Sequence, residues 1–362
     1  MKHRFSLFHN TRRIRVIAWL FSLSALVAIL TLTACSGATS SEPSLAPAAK
    51  PNWSSLNLTG QLIYGSFLDN RTSLVQLNLA SGKQTTLFQP PENGWLHGFA
   101  VAPDGNQIVL AYAPPTADGG ALIGHSGLFV IPAGGSDAPQ NILVSDRFDE
   151  AYFTPTWSPD GRYLYYAHYA RLTTENGILS TYAIERLAYP DGPSEVLVEN
   201  ALWPKLSADG ALLSYLAFDP NADTNYLYLA EADGKNAKLA LPIETFPIVD
   251  AHFFSPDGSM LIFSAASGEQ SPSGLTGLDR FLGVKAASAH SLPSEWWRVP
   301  VTGGEPEQLT HLMDSGLNGN YAPDGQHIGF IAASGVYVMK PDGSGLTKLS
   351  DEAVSGGIAW VP

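Results

Sequence analysis

One four-residue phrase recurs five times, and it constrains what this chain can fold into more than any other feature. Ala102-Pro103-Asp104-Gly105, Ser158-Pro159-Asp160-Gly161, Ser207-Ala208-Asp209-Gly210, Ser255-Pro256-Asp257-Gly258 and Ala322-Pro323-Asp324-Gly325 each follow an apolar or aromatic residue. Only the third copy replaces the proline. Proline pre-sets φ for a type I turn, aspartate bonds its own backbone, and glycine accepts the left-handed conformation that closes a hairpin. The flanks are rich in β-formers, as in Gln107-Ile108-Val109-Leu110-Ala111-Tyr112 and Arg162-Tyr163-Leu164-Tyr165-Tyr166. Each copy therefore reads as strand, tight turn, strand.

A second series of turns sets the count. Ser81-Gly82, Gly134-Gly135, Asp191-Gly192, Asp233-Gly234, Gly303-Gly304 and Asp342-Gly343 each separate a strand-like run from a short one. The repeating unit is then a four-stranded meander, present six times. The first unit has no such phrase and begins at Gly60-Gln61-Leu62-Ile63-Tyr64, while the chain ends on Gly357-Ile358-Ala359-Trp360-Val361. That last run matches the strand that precedes the phrase elsewhere, so it is expected to pair with the first unit. The fold predicted is all-β: a six-bladed β-propeller of four-stranded antiparallel blades, closed by the C-terminal strand.

The phrase Trp157-Ser158-Pro159-Asp160-Gly161, with its aliphatic-aromatic strand and second Asp-Gly turn, resembles the propeller repeat of the TolB family. It is also similar to the propeller that accompanies the hydrolase domain in prolyl oligopeptidase and dipeptidyl peptidase IV. The resemblance covers roughly residues 60–362 and implies a repeat class rather than one function. The stretch before residue 60 is shorter than the α/β domain that precedes the propeller in TolB, so neither that domain nor a peptidase domain after the last blade is expected.

The N-terminus carries a separate signal. Lys2, Arg4, Arg12, Arg13 and Arg15 precede an apolar run from Val16 to Leu32. A basic segment, an apolar segment and small residues describe a secretory signal peptide. Leu32-Thr33-Ala34-Cys35 resembles the bacterial lipobox, which implies that Cys35 is the acylated first residue of the mature protein. The competing reading is an uncleaved membrane helix, since the run is near the lower limit for spanning. The only cysteine of the chain stands at the lipobox position, which favours lipidation. The expected organisation is a signal peptide at 1–34, a Ser/Ala/Pro-rich tether at 35–56 and a propeller at 57–362. Such a protein is extracytoplasmic and lipid-anchored to a bacterial membrane, facing the cell surface or the periplasm.

Charge narrows the partners. The chain holds 20 Lys plus Arg against 33 Asp plus Glu, and removal of the signal takes five basic residues and no acidic one. An acidic surface of this kind repels nucleic acid, so no nucleic-acid partner is expected. A lone cysteine excludes an internal disulfide. A monomer without cofactor is expected, joined to the membrane by its lipid and to a protein or cell-envelope partner by one face.

Geometry indicates which face. In a meander, the second-to-third loops and the links between blades share one end. Spacings between the two turn series are 30, 31, 24, 46 and 18 residues for the second to sixth units. The last suffices for two bare strands, so inserted loops are expected at Pro114 to Ser126, Arg171 to Ile178 and Ser267 to Ser294. The same end receives Glu150, Glu199, Asp250 and Asp314, at or near the starts of inner strands, with His97 in the equivalent place. These residues, with His252, are the candidate binding face, for a cation or a basic segment; an ordinary solvated rim is the plainer reading. Trp95, Trp203, Trp296 and Trp297 read as a stacking platform or, more commonly in propellers, as inter-blade core.

Signatures of catalysis are lacking in the sequence. There is no Gly-x-Ser-x-Gly elbow, zinc helix or phosphate loop. Two readings follow: a non-catalytic scaffold, or a propeller enzyme of glycoside hydrolase or polysaccharide lyase type. Clustering of His97 and His252 with Asp250 around a metal would favour the enzyme.

Overall fold

Each Pro-Asp-Gly phrase closes a hairpin because several short-range bonds cooperate. Gly161 N–H donates to the Ser158 carbonyl at 2.9 Å, and Gly161 takes a φ of +70°, where any other residue is strained. Asp160 Oδ1 accepts from Ser158 Oγ at 2.7 Å and from the Arg162 N–H at 3.1 Å. Ser158 Oγ in turn accepts from the Tyr163 N–H at 2.9 Å. The Ser207 and Ser255 copies repeat this pattern. The Ala102 and Ala322 copies keep the aspartate-to-backbone bond without the hydroxyl.

The computed structural model describes residues 51–68, 71–120, 125–147, 149–174, 177–219, 224–242, 245–246, 248–266 and 292–362. A helical turn, α1 (Trp53–Leu56), precedes the first strand and falls within the expected tether. Blade 1 contains β1 (Gln61–Leu68), β2 (Arg71–Asn78) and β3 (Gln84–Phe88). Blade 2 contains β4 (Trp95–Val101), β5 (Gln107–Ala113), β6 (Gly127–Pro132) and β7 (Gln140–Leu143). Blade 3 contains β8 (Glu150–Trp157), β9 (Tyr163–Thr174), β10 (Gly177–Ala188) and β11 (Ser194–Glu199). Blade 4 contains β12 (Ala201–Leu206), β13 (Leu212–Asp219), β14 (Thr224–Glu231) and β15 (Lys238–Leu239). Blade 5 contains β16 (Val249–Phe254), β17 (Met260–Ala266), β18 (Ser294–Pro300) and β19 (Glu307–Gln308). Blade 6 contains β20 (Asn318–Tyr321), β21 (Ile328–Ala332), β22 (Gly335–Met339) and β23 (Thr347–Ser350).

The last strand, β24 (Val354–Val361), pairs antiparallel with β1 from Gln61↔Val361 onward and takes the inner place in blade 1. The six-bladed ring closes as the repeats predict. Inner strands of adjacent blades pack on one another around the axis, and side chains fill the gaps between blades. Trp296 is fully buried against Phe253 and Phe330. Trp360 Nε1 donates to the Thr59 carbonyl at 3.0 Å, which fastens the lead-in segment to the closing strand. Trp53 lies so close to Gly82 (φ +68°) that a Cβ there would meet Nε1 at 2.1 Å.

One expected insertion is not a loop. Within Arg171 to Ile178, the described residues 171–174 and 177–178 belong to the extended β9–β10 hairpin, whose register runs from Ala188↔Tyr163 to Gly177↔Thr174. The extra length of that unit prolongs both strands. The β5–β6 connection does contain the expected insertion over its described residues. Residues 267–291 of the third insertion lie outside the described residues.

Candidate functional site

The meander gives the ring two unlike ends. The Pro-Asp-Gly turns and the third-to-fourth strand turns form a turn face; blade links and second-to-third loops form a link face. Near the link face most inner strands slip register against their neighbours, at Leu96/Gly98, Phe153/Thr156, Leu202/Lys205 and Val249/His252. Such bulges re-aim side chains. Thr154 and Trp203 consequently take positive φ of 47° and 58°.

The sequence candidates fall as follows. His97 occupies the β4 bulge, half-buried, edge-on to Phe153 with ring centroids 5.7 Å apart. Burial pulls its imidazole below the ordinary histidine value. Glu150 opens β8, where its carboxylate accepts from Ser145 Oγ at 2.5 Å and lies 3.4 Å from Arg147 Nε. Asp314 precedes β20; its carboxylate accepts from the Ser315 N–H at 2.8 Å and from Ser334 Oγ. Glu199 ends the outermost strand β11, paired with Ala183, and is exposed. Asp250 and His252 both sit on β16 and are 2% exposed.

These residues share an end of the ring but do not converge. His97 faces Phe153 of blade 3, whereas His252 interacts with Lys205 of blade 4. Among the described residues, no three His, Cys, Asp or Glu side chains stand close enough to hold a metal ion. Trp203, Trp296 and Trp297 belong to packing. Trp296 is core, Trp297 stands edge-on to Phe246 at 5.1 Å, and Trp203 packs on the blade 4–5 cluster.

Three polar arrangements escaped the sequence reading. Glu295, 1% exposed, accepts from Thr310 Oγ1 at 2.6 Å and from the Leu312 and Met313 N–H groups at 2.7 Å each. In blade 3, Glu185 accepts from Tyr166 Oη at 2.8 Å and pairs with His168 Nδ1 at 2.7 Å. Burial opposes ionisation of Glu185, but the His168 and Tyr166 bonds outweigh it and hold the carboxyl low. The Glu185 bond raises His168 above its ordinary value against burial. Lys205 is the third, on inner strand β12. Aligning the five phrases would have exposed it: two residues before each stand Ala100, Thr156, Lys205, Phe253 and Asn320, with one charge among them.

A ring of six four-stranded blades closed by a strand from the chain's far end defines a six-bladed β-propeller. Among solved structures it is similar to TolB and related propellers. TolB from Acinetobacter baumannii matches with a TM-score of 0.56 and 14% identity, covering 98% of this chain and 74% of that one. A putative TolB from Agrobacterium tumefaciens matches at 0.53 and 18% identity, covering 84% and 99%. Puromycin hydrolase matches at 0.50 and 14% identity, covering 83% and 48%. No protein-family model matches the chain, and no curated protein does. Identities this low show the shared fold.

Proposed function

We propose that this protein is a lipid-anchored, extracytoplasmic scaffold that presents its link face to a protein of the cell envelope bearing a basic segment. The contrast between the two ends of the ring carries this reading. The turn face is built from tight turns whose aspartates are spent on their own backbone. The link face holds Glu150 and Asp314 in fixed orientations, with Glu199 exposed beside them. Exposed Phe67 and Met313, 44% and 51% accessible, and Val144 lie at the same end. Apolar side chains among oriented carboxylates suit a partner surface that is apolar at its centre and basic at its rim. The formal charge, -13 for the full chain and more negative once the five basic residues of the signal are removed, steers such a partner toward the protein. The lipobox-like Leu32-Thr33-Ala34-Cys35 supports anchoring through Cys35, and His97, Asp250 and His252 border the same end. No helix among the described residues is long and apolar enough to cross a membrane.

The test is crosslinking and affinity capture from native membranes, with Cys35→Ala as the anchoring control. A Glu150→Gln/Glu199→Gln/Asp314→Asn variant should lose the wild-type partner, and capture of that partner should weaken as salt rises. Undiminished capture by the neutralised variant rejects the link face as the binding surface.

A further inference from the structure

The inner strands of blades 4 and 5 bring together polar side chains that share no side-chain hydrogen bond among the described residues. Lys205 and Ser214 are register partners on β12 and β13, so their side chains emerge on one face of blade 4. That face packs on blade 5, as Leu216, two residues from Ser214, joins Phe254 in the cluster between the two blades. His252 lies two residues before Phe254 and shares its face, which sets the imidazole opposite Lys205 and Ser214. The Lys205 charge acts directly on the His252 ring.

Two of the members carry buried atoms with no hydrogen-bond partner among the described residues. Both ring nitrogens of His252, 2% exposed, make no hydrogen bond. The fully buried Ser214 Oγ makes none either. Lys205 has no ion pair among the described residues. Burial lowers its ammonium below the ordinary lysine value. The imidazole is pushed down to about 3, first by burial and then by the Lys205 charge, with the Ser214, Asp250 and Trp203 backbones opposing. It is therefore neutral and carries one N–H.

The same level in neighbouring junctions is filled differently. Between blades 3 and 4, Thr156 Oγ1 donates to the Pro204 carbonyl at 2.8 Å. Between blades 5 and 6, Phe253 fits so tightly over Gly319 that an added Cβ would meet it at 2.9 Å. One junction closes by a hydrogen bond and the other by packing. The blade 4–5 junction instead gathers an ammonium, a hydroxyl and an imidazole, with only the Ser214, Asp250 and Trp203 backbones beside the ring and no hydrogen bond on Ser214 Oγ. Buried donors left in this state cost free energy unless a ligand completes them.

We propose that the blade 4–5 junction beside the central axis is an oxyanion site, in which Lys205, Ser214 and His252 receive one carboxylate or phosphate group. The ammonium supplies the charge, and the hydroxyl and the imidazole N–H fix the orientation of the oxygens. Lys205 is half-buried, so the group is reached from the axis, while His252 and Ser214 form the closed back of the site. This site uses none of Glu150, Glu199 and Asp314 and takes a ligand of opposite charge.

Calorimetric titration of the mature protein with acetate and with inorganic phosphate tests the assignment, and the stronger of the two names the group. Saturable binding is expected, weakened about tenfold or more in Lys205→Met and held within a few-fold in Lys205→Arg. Lys205→Met removes a half-buried charge that has no ion pair among the described residues, so the variant should fold, and circular dichroism checks this. His252→Phe should also weaken binding, whereas Glu150→Gln should leave it unchanged. No saturable binding of either anion at millimolar concentration overturns the proposal. Equal binding by folded Lys205→Met also overturns it.

Discussion

Replacing Trp360 with alanine would probe ring closure where it is most concentrated. The indole is 7% exposed and its Nε1 donates to the Thr59 carbonyl at 3.0 Å. It stacks on His327 with centroids 6.1 Å apart, and a Cβ on Gly329 would stand 3.0 Å from it. Deleting a tryptophan this buried costs about 3–5 kcal/mol, lost transfer and residual cavity together. The missing bond to Thr59 adds little, because that residue is exposed and water replaces the indole as donor. Trp157→Ala provides the comparison. That indole is 8% exposed between two ordinary blades, donates to the Ala100 carbonyl at 3.3 Å and meets Tyr189 at 4.6 Å. Urea unfolding should show similar losses for both variants. Hydrogen exchange should separate them: only Trp360→Ala should speed exchange of β1 and β24 amides, because the seam can open without parting other blades. A loss under about 1 kcal/mol, or unchanged seam protection, would refute the closure argument.

Two further outcomes concern pH. Bonds from Ser158 and Ser255 first, then from Arg162 and Ser259, hold the Asp160 and Asp257 carboxyls at about 2. These values lie below the unfolded value of about 3.9, so their stabilisation is complete above it and fades as pH falls toward 2. The thermal midpoint should drop over that interval, and less steeply in Asp160→Asn/Asp257→Asn; an identical slope would reject the assignment. The Glu185 bond raises His168, so its stabilisation is complete below about pH 6.5 and is lost as pH rises through the folded value. His168→Asn should flatten the midpoint's decline on the alkaline side, and a decline that survives the substitution assigns it elsewhere.

The blade count was legible because each turn needs proline, aspartate and glycine for local reasons that leave a mark in sequence. Closure was legible because Trp360 repeats the place of Trp157. Arg171 to Ile178 misled because spacing reports extra length without saying whether it forms a loop or longer strands. Thr173 and Ile178 are β-formers and were the available signal. Candidate polar residues could be placed at one end, but not on particular blade faces. Asp250 and His252 are close in sequence to exposed links yet are buried: Asp250 falls in the β16 bulge, and His252 shares the face of Phe254 between blades 4 and 5. Glu295 gives no local sign of its partners, which lie 15 to 18 residues onward.

Carboxylate footprinting tests the link face most directly. Carbodiimide labelling would be read by mass spectrometry with and without the partner captured from membranes. Glu150, Glu199 and Asp314 should label more slowly in the complex, while Asp104, Asp233 and Asp342 on the turn face should be unchanged. Protection of the turn-face aspartates, with Glu150, Glu199 and Asp314 labelling as in the free protein, would contradict the account.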